Sequence, residues 1–216
     1  MSIRDNVGKI LSELPPGVML VAAAKTQTQK RVLEAIDAGV KIIGENYVQE
    51  AEEKFGKNAE IIRGKAELHL IGTLQKGKIS RALKIFDAIE SVDSIPLAEE
   101  ISKKAKAGVK IFLEINISDE KSKSGFKKEA IPESAKRISA LPRIKLIGLM
   151  AMPFSQDERI LRRYFGEMKK IFDELKIKYP EMKFLSMGMS SDYKIAIEEG
   201  SNVVRIGTAI FGEREN

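Results

Sequence analysis

Short apolar runs alternate with charged, amphipathic stretches along the whole chain. The runs are VMLVAAAK (18–25), KIIGEN (41–46), ELHLIG (67–72), AIESV (88–92), KIFLEIN (110–116), IKLIGLMAM (144–152), FLSMG (184–188) and VVRIG (203–207). Each is about strand length and rich in Val, Ile, Leu or Phe. Seven helical segments separate them, at 28–38, 47–55, 75–83, 94–107, 127–140, 156–178 and 191–199. In 156–178 the positions Ile160, Leu161, Tyr164, Phe165, Met168, Ile171, Phe172 and Leu175 recur at i, i+3, i+4 spacing. The opening, with Ile3, Val7, Ile10, Leu11 and Leu14, predicts one more helix ahead of the first strand. Gly39, Gly108 and Gly200 each follow a helical segment, where a left-handed C-terminal residue belongs. Pro142 and Pro180 also sit just past helix ends.

Eight strands that alternate with helices and are buried on both faces predict a parallel sheet. Eight is the number that closes a (β/α)8 TIM barrel, so the expected fold is α/β, one barrel domain over residues 1–216 with an extra N-terminal helix. The competing arrangement is an open doubly wound sheet. That fold carries a Gly-rich turn after strand one, whereas this chain reads KTQTQK there.

Composition narrows the chemistry. Cysteine is absent and there is one histidine, which argues against disulfides, a thiolate nucleophile and a transition-metal site. The longest apolar run, Val18 to Ala24, is far too short to span a bilayer, and the N-terminus lacks the apolar stretch of a signal peptide. No membrane association and a cytoplasmic location are therefore expected. The net charge is +6, but 37 Lys+Arg are interspersed with 31 Asp+Glu and aromatic content is 6%, so nucleic acid is not an expected partner. A mild positive field would still help recruit a small phosphorylated anion.

In a barrel the active face lies at the C-terminal ends of the strands. Lys25, Asn46, Gly72 with Gln75, Asn116, Met152, Gly188 with Ser190, and Gly207 with Thr208 fall there. Lys25 ends an apolar strand, so it is either a snorkelling strand end or a desolvated amine of the kind that forms Schiff bases. Arg205 lies mid-strand in the eighth run. Both faces of a barrel strand are dry, so its guanidinium needs a partner: an interior carboxylate such as Glu114, or a ligand acceptor. The loops GMSSD (188–192) and GTAIFG (207–212) follow strands seven and eight, the recurrent phosphate site of this fold. Gly207 allows close backbone approach and Thr208 offers a hydroxyl and an N–H, while Ser190 is either a phosphate donor or a helix N-cap. His69 reads as a satisfied core histidine. Met150, Met152, Met187 and Met189 read as barrel lining, and 117–129 as a solvated charged loop at the mouth.

Those residues also carry a likeness. The segments AAAKTQ (22–27), AIDAGVKIIGENYVQEA (35–51), LHLIGTLQKGK (68–78), INISDEKSKSGF (115–126), IGLMAMP (147–153) and LSMGMSSDYKIAIEEGSNVVRIGTAIFG (185–212) resemble the pyridoxal phosphate homeostasis protein family, in collinear order. The resemblance implies a barrel like the N-terminal domain of alanine racemase and pyridoxal 5′-phosphate as cofactor, held as a Schiff base on Lys25. It implies further that Arg205 faces the pyridine nitrogen, that Ser190, Gly207 and Thr208 contact the phosphate, and that Asn46 is a polar contact near the cofactor. The racemase histidine beside the ring corresponds to Met152, and the chain ends at Asn216, soon after the last matched glycine. The C-terminal β domain through which such racemases complete a partner's active site is then missing. The implied role is a monomeric carrier that supplies the cofactor to apo-enzymes without turnover, with weak amino-acid racemase activity as the alternative.

Overall fold

The computed structural model describes residues 2–56, 62, 64–120 and 123–213. Eight parallel strands close into a barrel in sequential order: β1 (Met19–Ala23), β2 (Ile42–Glu45), β3 (Glu67–Leu70), β4 (Ala88–Val92), β5 (Val109–Ile115), β6 (Ile144–Ala151), β7 (Phe184–Ser186) and β8 (Val203–Ile206), the last pairing back on β1. This is the TIM barrel, and the short run AIESV is a strand throughout. The helices of the described residues are α1 (Ile3–Glu13), α2 (Gln29–Asp37), α3 (Val48–Phe55), α4 (Ile79–Ile85), α5 (Ile95–Lys104), α6 (Ile131–Ser139), α7 (Glu158–Lys178), α8 (Tyr193–Glu198) and α9 (Thr208–Phe211). No helix among them is long and apolar enough to cross a membrane.

Local chemistry sets the boundaries. Ser2 and Asp5 form a reciprocal capping box on α1, Thr28 caps α2, Asp157 caps α7, and Pro96 and Pro132 occupy the first turns of α5 and α6. α7 buries Leu161, Phe165, Met168, Phe172 and Leu175, one stripe at alternating spacings of four and three. Gly39 and Gly200 adopt the left-handed conformation expected after a helix. Gly108 does not: α5 ends at Lys104 with an extended cap, and Gly108 instead makes room for the Lys145 side chain.

The apolar core has two parts. A large layer lies between barrel and helices, and two small clusters lie inside the barrel, one with Val21, Ile42, Ile71 and Val203 and the other with Ala88, Phe112 and Met150. Period-two alternation follows from this: Val21, Ala23 and Lys25 share the inward parity of β1, and Val203, Arg205 and Gly207 that of β8. Most apolar runs outlast their strands by one or two residues at the C-terminal end. Those trailing residues, Lys25, Asn46, Met152, Gly188 and Gly207, form the mouth.

Between the small clusters a polar column runs along the barrel. Lys110 pairs with Glu67 at 3.0 Å, and Glu67 meets His69 Nε2 at 3.2 Å. His69 Nδ1 lies 2.7 Å from Glu90 Oε1, and Ser186 Oγ donates to Glu90 Oε2 at 2.6 Å. Arg205 donates to Ser186 Oγ at 2.5 Å. Burial disfavours an imidazolium at His69, but the bonds to Glu67 and Glu90 outweigh it and lift its pKa to about 9. His69 is thus a core histidine with both ring nitrogens satisfied.

Two outcomes follow from this architecture. His69 titrates near 6.5 when unfolded and near 9 when folded, so its stabilisation is full below the first value and is lost as pH rises through the second. Urea midpoints are expected to fall between pH 6.5 and 9.5, and His69→Gln to flatten that fall. A Cβ at Gly72 would lie 2.4 Å from the Asn46 carbonyl oxygen, whereas one at Gly8 meets nothing within 4 Å. Gly72→Ala should cost about 1–3 kcal/mol, and Gly8→Ala should be neutral or stabilising by up to about 1 kcal/mol. Equal urea midpoints for these two variants would contradict the packing at the mouth.

Candidate functional site

Lys25 leaves the barrel under close backbone control. Ala24 N–H donates to the Gly44 carbonyl at 2.8 Å, extending the β1–β2 ladder one residue past the strand. Beyond Lys25, Thr26 takes a left-handed φ of 66° and its N–H donates to Glu50 Oε1 at 2.5 Å. On the helix side, Lys54 Nζ donates to the Ala24 carbonyl at 2.8 Å and pairs with Glu45 at 2.9 Å and Glu50 at 2.7 Å. Burial pushes the Glu45 carboxyl up to about 7 despite Lys54, and its Oε2 is buried without a hydrogen-bond partner among the described residues. Side chains of α3 therefore grip the main chain on both sides of Lys25. The Lys25 amine is half-buried and sits 5.5 Å from the centre of the Tyr47 ring.

Arg205 is buried on the inner wall. Besides Ser186, its guanidinium donates to the Ala151 carbonyl at 2.9 Å and stands 3.9 Å from Glu90. The nearest carboxylate is thus Glu90 rather than Glu114, the interior carboxylate offered from sequence as one example of a partner, with β4 bringing Glu90 across to Ser186 on β7. Burial lowers the Arg205 pKa, opposed by Glu90, Glu114 and Asp192. Glu114 makes no side-chain hydrogen bond among the described residues, and burial with Asp93 nearby lifts its carboxyl to about 7 against the pull of Arg205.

The two loops after β7 and β8 meet. Gly207 N–H donates to Ser190 Oγ at 3.3 Å, tying one loop to the other. Ser190 is not an N-cap: α8 begins at Tyr193, and Asp192 instead accepts from Met189 N–H at 2.6 Å. A Cβ at Gly207 would come within 3.2 Å of the Ala23 carbonyl oxygen, so the glycine lets the β8 end lie close against β1. The GTAIFG loop contains α9, with Thr208 as its exposed first residue. α9 is pinned from the N-terminal side, where Asn6 donates to the Ile210 carbonyl at 3.0 Å and Arg31 donates to the Phe211 carbonyl. The extra helix predicted from the opening residues therefore helps to build the mouth.

Lys25, Asn46, Ser190, Arg205, Gly207 and Thr208 all line one cavity of about 700 Å³. Gln27, Ile71, Met189, Ser191 and Phe211 are among the other residues of its wall. Of these, the sequence reading named Met189 as barrel lining and placed Ser191 and Phe211 inside the two phosphate loops, but it singled out neither Ile71 nor Gln27, which follow from inward parity and from proximity to Lys25. It also missed the supports, Glu45, Glu50 and Lys54 behind Lys25 and Glu90 and Ser186 behind Arg205. The methionines divide: Met150 packs inside the barrel, Met187 packs in the helix layer, and Met152 and Met189 line the cavity. Two smaller lobes adjoin it, sharing Met152, and Glu114 lines both. The second of them takes Ser118, Lys123 and Ser124 from the charged loop. Among the described residues no group of three or more His, Asp or Glu side chains is arranged to hold a metal.

The family described as "Alanine racemase, N-terminal domain" matches residues 1–215. The pyridoxal phosphate homeostasis protein of Escherichia coli K12 is 39% identical over 220 residues, covering 99% of this chain and 94% of that protein. The protein of the same name from Vibrio cholerae is 39% identical over 229 residues, covering 99% and 97%. Among solved structures, PipY of Synechococcus elongatus with PLP bound superposes with a TM-score of 0.88 at 31% identity, covering 98% of this chain and all of that one. An alanine racemase from Clostridium difficile shares the fold, with a TM-score of 0.78 at 16% identity over 56% of its length. With this barrel, this clustering of side chains at its mouth and full-length similarity at this level, the chain belongs to the pyridoxal phosphate homeostasis protein family, built on the alanine racemase N-terminal-domain fold.

Proposed function

We propose that this chain binds pyridoxal 5′-phosphate as a Schiff base on Lys25 and acts as a carrier that supplies it to apo-enzymes without catalytic turnover. The observation that carries the reading is the convergence of Lys25, Arg205 and the linked Ser190–Gly207–Thr208 loops on one cavity. The residues fit the group: an amine for the aldehyde, hydroxyl and N–H donors for the phosphate, and a fixed cation deep in the wall. The volume lies within the roughly 300–1,000 Å³ usual for small-molecule sites. The relative solved with PLP bound has the same fold over its full length.

Bound there, the cofactor supplies an aldehyde that condenses reversibly with amines. The protein's part is to hold and screen it. Lys25 is presented by a main chain braced from α3, and Tyr47 lies beside its amine. Arg205, aimed by Ser186 and Ala151, is a permanent cation that provides no titrating proton near neutral pH. Asn46 is a polar contact at the rim. Residues 1–216 would act as one domain and one monomeric unit in the cytoplasm. A second reading, a weak amino-acid racemase, draws support from Glu114, whose carboxyl is poised at about 7 in the adjoining lobes.

Borohydride reduction and peptide mapping should place the pyridoxyl group on Lys25, and Lys25→Ala should abolish the visible absorbance band of the loaded protein. A label found mainly on another lysine of the wild type would overturn the assignment. Ser190→Ala and Thr208→Val each remove a donor to a charged phosphate, worth about 1.5–3 kcal/mol, so each should weaken retention roughly tenfold or more. Cofactor-loaded protein incubated with L-amino acids should turn over far below about 1 s⁻¹ while still reactivating an apo-enzyme. Turnover at ordinary rates, lost in Glu114→Gln, would favour the racemase.

A further inference from the structure

The polar column inside the barrel has two ends of different character. At the mouth, Arg205 lines the cavity; at the opposite end, Glu67 and Lys110 are half-exposed to solvent. Between them every contact is within hydrogen-bond reach: Arg205 to Ser186 at 2.5 Å, Ser186 to Glu90 at 2.6 Å, Glu90 to His69 at 2.7 Å and His69 to Glu67 at 3.2 Å. Ser186, Glu90, His69 and Arg205 are all buried, so water does not screen the charges from one another. The two oxygens of Glu90 are divided, one to His69 and the other to Ser186, which in turn holds Arg205.

We propose that this column couples the cavity to His69, so that a change of charge or bonding at Arg205 or Ser186 alters the proton affinity of His69, and the protonation of His69 alters binding at the cavity. Glu90 is the shared carboxylate. Weakening its hold on the Arg205 side concentrates its charge on the imidazole and strengthens the proton there. Binding of an anion at Arg205 does the same, because it competes with Glu90 for the guanidinium. Coupling of this kind is reciprocal, so deprotonating His69 weakens anion binding by the same factor. The other charged groups acting on Arg205 are Glu114 from β5 and Asp192 ahead of α8, and neither contacts His69. Around the imidazole stand Glu67 on its own strand, Glu90 on β4 and the Phe112 ring of β5, 6.3 Å away and tilted by 56°.

The chain contains one histidine, so a single imidazole signal reports this site without assignment. The test is an NMR titration of that signal in cofactor-free protein, in the wild type, Ser186→Ala and Arg205→Met. Both substitutions should raise the midpoint by about 0.7 unit or more, the lower end of ordinary site-to-site coupling. Ser201→Ala removes a buried hydroxyl that bonds only backbone carbonyls outside the column, and should leave the midpoint unchanged. An unmoved midpoint in Ser186→Ala overturns the coupling, whether or not Arg205→Met folds. The ligand arm rests on the proposed cofactor reading: pyridoxal phosphate, with occupancy followed by its absorbance, should raise the wild-type midpoint in the same direction. Bound cofactor with an unmoved midpoint also counts against the coupling. Absence of binding counts against the cofactor reading alone, and the cofactor-free variants still decide the rest.

Discussion

A guanidinium enclosed by eight strands has no water to turn to, and much of the inner architecture answers that constraint. Arg205 requires acceptors, and the barrel supplies Ser186, a carbonyl of β6 and, a little farther off, Glu90. A buried carboxylate brings the same need in reverse, met at Glu90 by His69, and the imidazolium brings Glu67. Each group is tolerable only because the next one is present, since removing one partner of a buried pair strands the other. The column reaches Lys110 and solvent before the sequence of requirements ends. A wholly apolar interior would pack more simply, but it would leave no fixed cation in the wall of the cavity.

The mouth is supported from outside as much as from within. α3 contributes Glu50 and Lys54 to the main chain around Lys25, while α1 and α2 fasten α9 through Asn6 and Arg31. These supports lie in the helix layer and touch the main chain near the cavity rather than its contents. The geometry of the site thus depends on helices whose sequences read only as amphipathic surface.

The alternation of apolar runs with charged segments was enough to read the barrel, and the rule that chemistry gathers at strand C-termini was enough to bring Lys25, Asn46, Ser190, Gly207 and Thr208 to one cavity, with Arg205 added from its place inside the eighth strand. Both rest on strong local signals, period-two and period-3.6 patterning and the direction of parallel strands. What escaped was pairing across the barrel. A linear reading offers an interior carboxylate such as Glu114 as a partner for Arg205, and only the closed barrel shows that Glu90, held by Ser186, is the one 3.9 Å away. The Ser190 hydroxyl is a similar case. In sequence it stands where a cap belongs, and only the meeting of two loops gives it the Gly207 N–H. The likeness to a known family implied roles that spacing alone left open, such as that of Arg205.

The clamp on either side of Lys25 bears on time as well as place. With Ala24 and Thr26 both fastened to α3, the lysine has little main-chain freedom, and its reach is that of its own methylene torsions. Such torsions interconvert in picoseconds to nanoseconds, whereas loop and domain openings take microseconds or longer. An amine carried this way can approach and withdraw from a partner by turning its own side chain, with its main chain held still.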